Sequence, residues 1–372
     1  MQTEQAPVET LGPPVEGERR KSSTQRFLPL DAYRGLIMIL LVSDGLGFRA
    51  LAKHPLYQGI AAQFDHVPWV GTHFYDLIAP AFLFMVGMSM PFALGRRTAQ
   101  GATFRQNLRH VAMRSSRLML VSQILISIQA NRLHFQMHNI LTHIAVAYFL
   151  CFLIMQCKFR YQVLAEAVLL GFHSMLFFLF PAADGPFTKS GNIGAVLDRA
   201  IMGYNYASWT TNLNMISTTA SALFGVWAGN LLRGNRSRSA QIKILAWAMV
   251  GAFAGGLALS TFIPIIRRIW TASLVVYSAG WVLLMFLVLY LLIDVAGYRK
   301  IAFPLTIVGS NAIFIYSLDL ILRGWLDKAL AVFTFRFAFV GTFAPVAQSC
   351  AVLFVMWSLC YWLYHHKIFL RL

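Results

Sequence analysis

The chain has 372 residues, of which 58% are hydrophobic and only 12% charged. A soluble domain of this length usually has about 45–50% apolar and about 25% charged residues, so the composition excludes an ordinary soluble domain. The net charge of +17 does not indicate nucleic-acid binding, because the basic residues lie between hydrophobic runs and form no separate basic module. The sequence predicts an all-α integral membrane protein.

The first 27 residues are polar, rich in Pro and Glu and basic near their end. This composition is typical of a disordered cytosolic tail, and it contains no apolar core of a cleavable signal peptide. We expect residues 28–372 to form a single polytopic transmembrane domain.

Ten apolar runs follow, each of about the length that crosses a hydrocarbon layer as a helix. The predicted spans are residues 32–51, 72–94, 112–129, 139–157, 161–180, 214–232, 242–263, 271–293, 301–322 and 343–365. An even number of spans puts both termini on one side of the membrane. With the N terminus inside, the cytosolic segments contain about twice as many basic residues as the segments on the opposite side. This bias predicts an N-in and C-in orientation.

The densest polar segment lies between the first two predicted spans and runs from Asp65 to Asp76. His66 is expected at the membrane surface, and Asp76 about one turn into the next helix, facing back toward it. A carboxylate beside an imidazole fixes its tautomer and raises its basicity, as a general base or a nucleophile requires. Taken alone, this spacing also fits an interfacial histidine with no chemical role.

Ionisable residues inside apolar spans are costly and indicate function. Asp44, Asp76 and Asp319 suit a proton or cation path, so a transporter for a small solute is the alternative function. A non-catalytic membrane scaffold is a third reading. The four cysteines have no metal-ligand spacing, and no metal site is predicted.

Several motifs follow one another along most of the chain. Leu30-Asp31-Ala32-Tyr33-Arg34-Gly35 opens the first span, and His66-x-x-Trp69-x-Gly71 leads to Asp76-Leu77-Ile78-x-Pro80. Further motifs occupy residues 139–145, 223–229, 269–271 and 308–316. From residue 28 onward, these motifs in this order resemble those of the heparan-α-glucosaminide N-acetyltransferase-like membrane proteins.

This resemblance implies a transmembrane acyltransferase. Such proteins take acetyl from cytosolic acetyl-CoA and deliver it to an amine, typically of a terminal glucosamine, on the far side. The essential histidine of the family falls on His66, with Asp76 and Asp44 in support. An acetyl group carried on His66 and general-base catalysis in a ternary complex both remain open, as does a hydroxyl acceptor. The implied partners are an amino sugar or glycan and the membrane lipids.

Other residues are predicted to bind the two substrates. Arg34 belongs to a motif and has the chemistry to bind CoA phosphates, with a snorkelling topogenic arginine as the alternative; for Arg114 and Arg117 that alternative is the favoured explanation. Trp69 has the shape to stack on a sugar, although interfacial tryptophans are common. The full predicted set is Arg34, Asp31, Arg114, Arg117, Asn139, His143 and Asn311 for acetyl-CoA, and Trp69, Trp270 and Arg268 for the acceptor.

The chain departs from the family pattern in several places. Ser43-Asp44 stands where lysosomal relatives have an asparagine, and Thr142-His143 stands where family members often have Gln-Arg. These changes leave the acceptor open. The long luminal N-terminal domain of the lysosomal enzymes is not expected, which favours a bacterial inner membrane. A homodimer is left open.

Overall fold

The computed structural model describes residues 27–370, so the predicted N-terminal tail lies almost wholly outside the described residues. Thirteen α-helices form within that range. They are α1 (Leu28–Val42), α2 (Gln58–Gln63), α3 (Ile78–Ala99), α4 (Phe104–Ala130), α5 (Ile140–Ile154), α6 (Phe159–Leu179), α7 (Ile193–Met202), α8 (Asn214–Arg233), α9 (Arg238–Ser260), α10 (Ala272–Tyr290), α11 (Arg299–Ser310), α12 (Ala312–Thr334) and α13 (Ala344–His365).

The chain is an all-helical integral membrane protein. Eight helical stretches between residues 27 and 370 are long and apolar enough to cross a membrane. The last of them, Ala312–His365, contains both α12 and α13, whereas α5 has only 15 residues and is a shorter apolar helix. The number of ten spans and the N-in, C-in orientation stay predictions.

The centre of the bundle is built on close contact between α3 and α8. A side chain at Gly87 would overlap the carbonyl oxygen of Ala222, and one at Gly225 would overlap that of Phe84. Small residues allow helix backbones to approach closely. In a membrane, where the hydrophobic effect does not drive helices together, such close van der Waals packing helps to hold them in contact. α3, the helix that follows the His66 loop, is therefore held against α8 near its middle.

Two predicted spans differ from the structure. The first ends as an α-helix at Val42 and continues as the 3₁₀ segment Gly45–Lys53, because Asp44 adopts a left-handed conformation with φ of 48°. Arg323 of α12 donates to the carbonyls of Val42 and Ser43 and so satisfies the end of α1.

The predicted span 301–322 is wrong as a single helix. The structure breaks it at Asn311 into α11 and α12. The Asn311 amide donates to the carbonyl of Ile368 at 3.1 Å and accepts from the backbone N–H of Leu370 at 3.0 Å. Asn311 itself has non-helical backbone angles, φ −125° and ψ 39°, and these two bonds tie its side chain to the C-terminal segment at the break. The predicted loop 181–213 also contains a helix, α7.

Candidate active site

His66 and Asp76 are in direct contact. Nδ1 of His66 lies 2.8 Å from Oδ1 of Asp76, as the sequence predicted from their positions. The other carboxylate oxygen, Oδ2, accepts the backbone N–H groups of Val67 at 3.2 Å and His73 at 3.0 Å. Asp76 is the third residue of the short 3₁₀ helix Phe74–Leu77, whose capping box it forms with His73. The local turn therefore holds the carboxylate in place.

These contacts determine the protonation of His66. Burial lowers the pKa of His66 below 6.5, and Arg267 lowers it further, against the opposing effect of Asp76. The imidazole is therefore neutral near pH 7. Because the carboxylate accepts at Nδ1, that nitrogen carries the proton, and Nε2 keeps its lone pair. The His66 side chain is 33% exposed, so a substrate can reach it.

Arg267 completes the cluster from the loop between α9 and α10. Its Nη1 lies 3.3 Å from both ring nitrogens of His66, and its Nε lies 3.6 Å from Oδ1 of Asp76. Its guanidinium carbon lies 4.6 Å from the ring centroid of Trp209, so the cation stacks on the indole. The sequence pattern predicted the neighbouring Arg268 and did not indicate Arg267 or Trp209. Only the paired arginines before Ile269 gave any signal.

The segment before α8 places Trp209 beside His66 and beside His138, which lies in the loop between α4 and α5. Ala207 and Ser208 have φ angles of 45° and 63° and carry Trp209 over the site. The ring of Trp209 lies 6.0 Å from that of His66 and 5.0 Å from that of His138. Burial lowers the pKa of His138 to about 3, so this second imidazole is also neutral. Sequence analysis missed His138.

Asp44 reaches the site only through a tyrosine. Its side chain is exposed, and Tyr75 donates to its Oδ1 at a long distance of 3.5 Å. The ring of Tyr75 in turn lies 4.9 Å from that of His66. Asp44 is thus a neighbour of Tyr75, and its predicted supporting role stays a prediction.

The residues predicted to bind the donor are scattered. Nη1 of Arg34 lies 3.7 Å from the Asp31 carboxylate, and Nε of Arg34 contacts the Met85 sulfur at 3.3 Å. Arg114 donates to the hydroxyl of Tyr148 at 3.1 Å, and Arg117 is exposed. These side chains form no common cluster with His66.

Three further predicted donor residues have structural contacts. Asn139 caps α5, because its Oδ1 accepts the N–H of Leu141 at 2.9 Å, and it also accepts the Tyr316 hydroxyl at 3.1 Å. His143 is buried, with Nδ1 3.4 Å from the Thr218 hydroxyl. Asn311 is occupied by the C-terminal segment described above. Their roles in binding acetyl-CoA stay predictions.

The predicted acceptor residues lie at different depths. Trp270 is only 5% exposed, and its indole N–H donates to Ser221 at 3.0 Å, so its position gives no support for a substrate contact. Trp69 donates to the Phe187 carbonyl at 2.9 Å. Arg268 donates to the Ala207 carbonyl at 2.8 Å and so holds the segment that carries Trp209.

Two of the three aspartates in the alternative transport path have cationic partners. Asp319 pairs with Arg323 at 3.2 Å within α12, and Asp76 pairs with Arg267. Paired carboxylates in apolar surroundings are explained by structure as well as by transport. No contact in the described residues singles out a transport path.

A basic cavity of about 620 Å³ lies where α3 ends and α4 begins, lined by Arg97, Arg109 and His110 among others. Residue 97 follows residue 76 by about 30 Å of helix at ~1.5 Å per residue. The cavity and the His66 cluster therefore lie at opposite ends of one candidate span.

Comparisons with known proteins agree with the motifs. No protein-family model matches the chain. It is 23% identical over 376 residues to the mouse protein named heparan-alpha-glucosaminide N-acetyltransferase, across 83% of this chain and 55% of that protein. It is 22% identical over 377 residues to the human protein of that name, across 82% and 55%. The chain spans about half the length of the curated relatives it matches. The resemblance found in the motifs is thus confirmed as a distant similarity to the heparan-alpha-glucosaminide N-acetyltransferases over most of this chain.

Proposed function

We propose that this chain is a transmembrane acetyltransferase that moves an acetyl group from acetyl-CoA to an amine or hydroxyl of a sugar or glycan. The observation that carries the proposal is the 2.8 Å contact of His66 with Asp76, which assigns the proton to Nδ1 and leaves the lone pair on Nε2 of a side chain that is 33% exposed. Distant similarity to N-acetyltransferases points to the same chemistry.

Nε2 of His66 is suited to both routes of acetyl transfer. In one route its lone pair attacks the thioester carbon, and the C–S bond breaks to leave a thiolate and an acetyl-imidazolium. The amine nitrogen then attacks the acetyl carbon, the bond to Nε2 breaks, and the proton lost by the amine passes to the thiolate. In the other route Nε2 removes a proton from the amine while the amine nitrogen attacks the thioester, and the proton is then passed to the thiolate. Asp76 stabilises the positive imidazole in either case. The overall reaction converts amine and thioester to amide and thiol.

The donor's phosphates need cations. Arg97 and Arg109 line the cavity at the far end of α3 from His66, and guanidinium groups bind phosphate through paired N–H donors. Together with Arg34, these arginines are the candidate cations for CoA. A donor bound from that end and an acceptor bound near His66 would approach the reaction from opposite ends of the span, consistent with a cytosolic donor and an extracytoplasmic acceptor.

The test is acetyl transfer by the purified full chain from radiolabelled acetyl-CoA to a panel of amino sugars. Wild type should transfer label, and His66→Ala should abolish transfer. His54→Ala is the matched control, since that histidine is exposed in the same loop. Turnover unchanged in His66→Ala would contradict the mechanism. Solute uptake into proteoliposomes without any acyl-CoA, lost in Asp76→Asn, would instead favour a transporter.

A further inference from the structure

Arg267 is the closest cation to the reactive nitrogen of His66. Its Nη1 lies 3.3 Å from Nε2 and equally 3.3 Å from Nδ1. Nδ1 already donates to Asp76, so it offers no lone pair to Arg267. Nε2 is therefore the ring atom that can accept from Nη1, and this contact uses one of the five N–H donors of the guanidinium. The guanidinium thus lies beside the ring with donors that the imidazole does not fully use.

We propose that Arg267 stabilises the negative charge that forms on the acyl carbonyl oxygen when the thioester is attacked at His66, an inference that rests on the acetyltransferase function proposed above. Both routes pass through this charge. Whether Nε2 or the amine nitrogen bonds to the carbonyl carbon, the C=O π electrons move onto oxygen. The C–S bond then breaks, and the electrons return to re-form the carbonyl.

The neighbours of Arg267 fix its guanidinium group beside His66. The Trp209 ring supports one face of the guanidinium at 4.6 Å, and the Asp76 carboxylate lies 3.6 Å from Nε. The side chain is 15% exposed, and Nε has no hydrogen-bond partner within the described residues. A donor fixed before the reaction needs no reorganisation, and electrostatic stabilisation of this kind is among the largest contributions to acyl transfer.

Two simpler roles for Arg267 make different predictions. As a structural partner of Asp76 it would affect the amount of folded protein. As a neighbouring charge that keeps His66 neutral it would affect only the pH at which activity is lost. Stabilisation of the carbonyl oxygen affects kcat even at a pH where His66 is fully neutral. The measurement that separates the three is the pH profile of kcat and KM.

The experiment compares Arg267→Gln with wild type in the whole 372-residue chain, with rates expressed per concentration of unprotonated amine. We expect the kcat on the high-pH plateau to fall by about 10²- to 10³-fold, with KM for acetyl-CoA within a few-fold. The acid limb should move to higher pH, because Arg267 lowers the pKa of His66. Arg132→Gln, in an exposed loop, is the control and should match wild type.

A plateau kcat equal to wild type, with only the acid limb moved, would overturn the inference. If Arg267→Gln does not fold, Arg267→Lys keeps the ion pair with Asp76 but lacks the planar fork. A lower plateau kcat in the lysine variant supports the inference, and a wild-type plateau overturns it. Wild-type protein that transfers no acetyl group overturns the proposed function as well, so the two failures are distinguishable.

Discussion

Asp76 binds the imidazole of His66 through one oxygen and the backbone of the same loop through the other. Oδ1 accepts from Nδ1 of His66, while Oδ2 accepts from the amides of Val67 and His73. A single buried carboxylate thus fixes both the tautomer of the histidine and the path of the chain that carries it. The consequences of this arrangement can be measured.

Replacing Asp76 by Asn should keep the shape of the loop and impair the chemistry. The amide has no charge to stabilise a positive imidazole, and its N–H₂ group favours the opposite tautomer of His66. We expect kcat to fall by about 10²- to 10⁴-fold with little change in KM. Asp184→Asn, in an exposed loop, is the control. A kcat within a few-fold of wild type would show that His66 does not depend on this carboxylate.

The proposed acetyl transfer should persist to unusually low pH for a reaction that depends on a histidine. Burial lowers the pKa of His66 from 6.5, so its neutral, reactive form survives below that pH. The acid limb of kcat/KM for acetyl-CoA, which reports the free enzyme, should therefore have its midpoint below 6.5. An acid limb centred above that value would contradict the neutral state assigned here.

His138 should make the fold sensitive to acid. Its pKa is about 3 in the folded protein, against 6.5 without burial. Between those values the unfolded chain binds a proton that the folded chain does not, so its stabilising contribution is complete above pH 6.5 and declines as pH falls toward 3. Going from about pH 7 to about pH 5, His138→Gln should lose on the order of 1–2 kcal/mol less stability than wild type.

The measurement for His138 is the thermal unfolding midpoint in detergent at both pH values. His54→Gln supplies the control, because that side chain is exposed. Equal acid sensitivity of wild type and His138→Gln would show that the imidazole is not kept neutral by burial.

Gly87→Ala should destabilise the bundle. The added methyl group would overlap the Ala222 carbonyl of α8, and backbone on both sides prevents a local adjustment. We expect a loss of about 1–3 kcal/mol or more, the usual cost of overpacking. Gly171→Ala, in the middle of α6 with open space around it, should be neutral or slightly stabilising. Equal unfolding midpoints for the two variants would contradict the close α3–α8 contact.

The sequence predicted the local contact in the candidate site and missed the distant residues around it. His66 and Asp76 are only ten residues apart, and Pro68 and Gly71 between them predict a turn. Their contact therefore follows from short-range geometry. Arg267 lies 201 residues from His66 in the chain. Nothing in the local pattern indicates which loop folds over which, because the order of helices in the bundle is set by tertiary packing.

The same limit explains the error at Asn311. The apolar run through residues 301–322 is long enough for one span, so its length and composition alone predict one helix. At the break the Asn311 side chain bonds the backbone of Ile368 and Leu370, which only the folded chain brings to that position. Apolar length predicts where helices lie more reliably than it predicts where they are interrupted.

The two amides bound to Asp76 connect the local dynamics of the loop to its chemistry. Opening the turn at Val67 and His73 releases the carboxylate oxygen, and the imidazole then loses the partner that fixes its proton. Exchange of these amide hydrogens with deuterium therefore reports how often the histidine is without its orienting group. A substitution that accelerates exchange at these two positions should slow the reaction in proportion to the time spent open, even when it touches neither His66 nor Asp76.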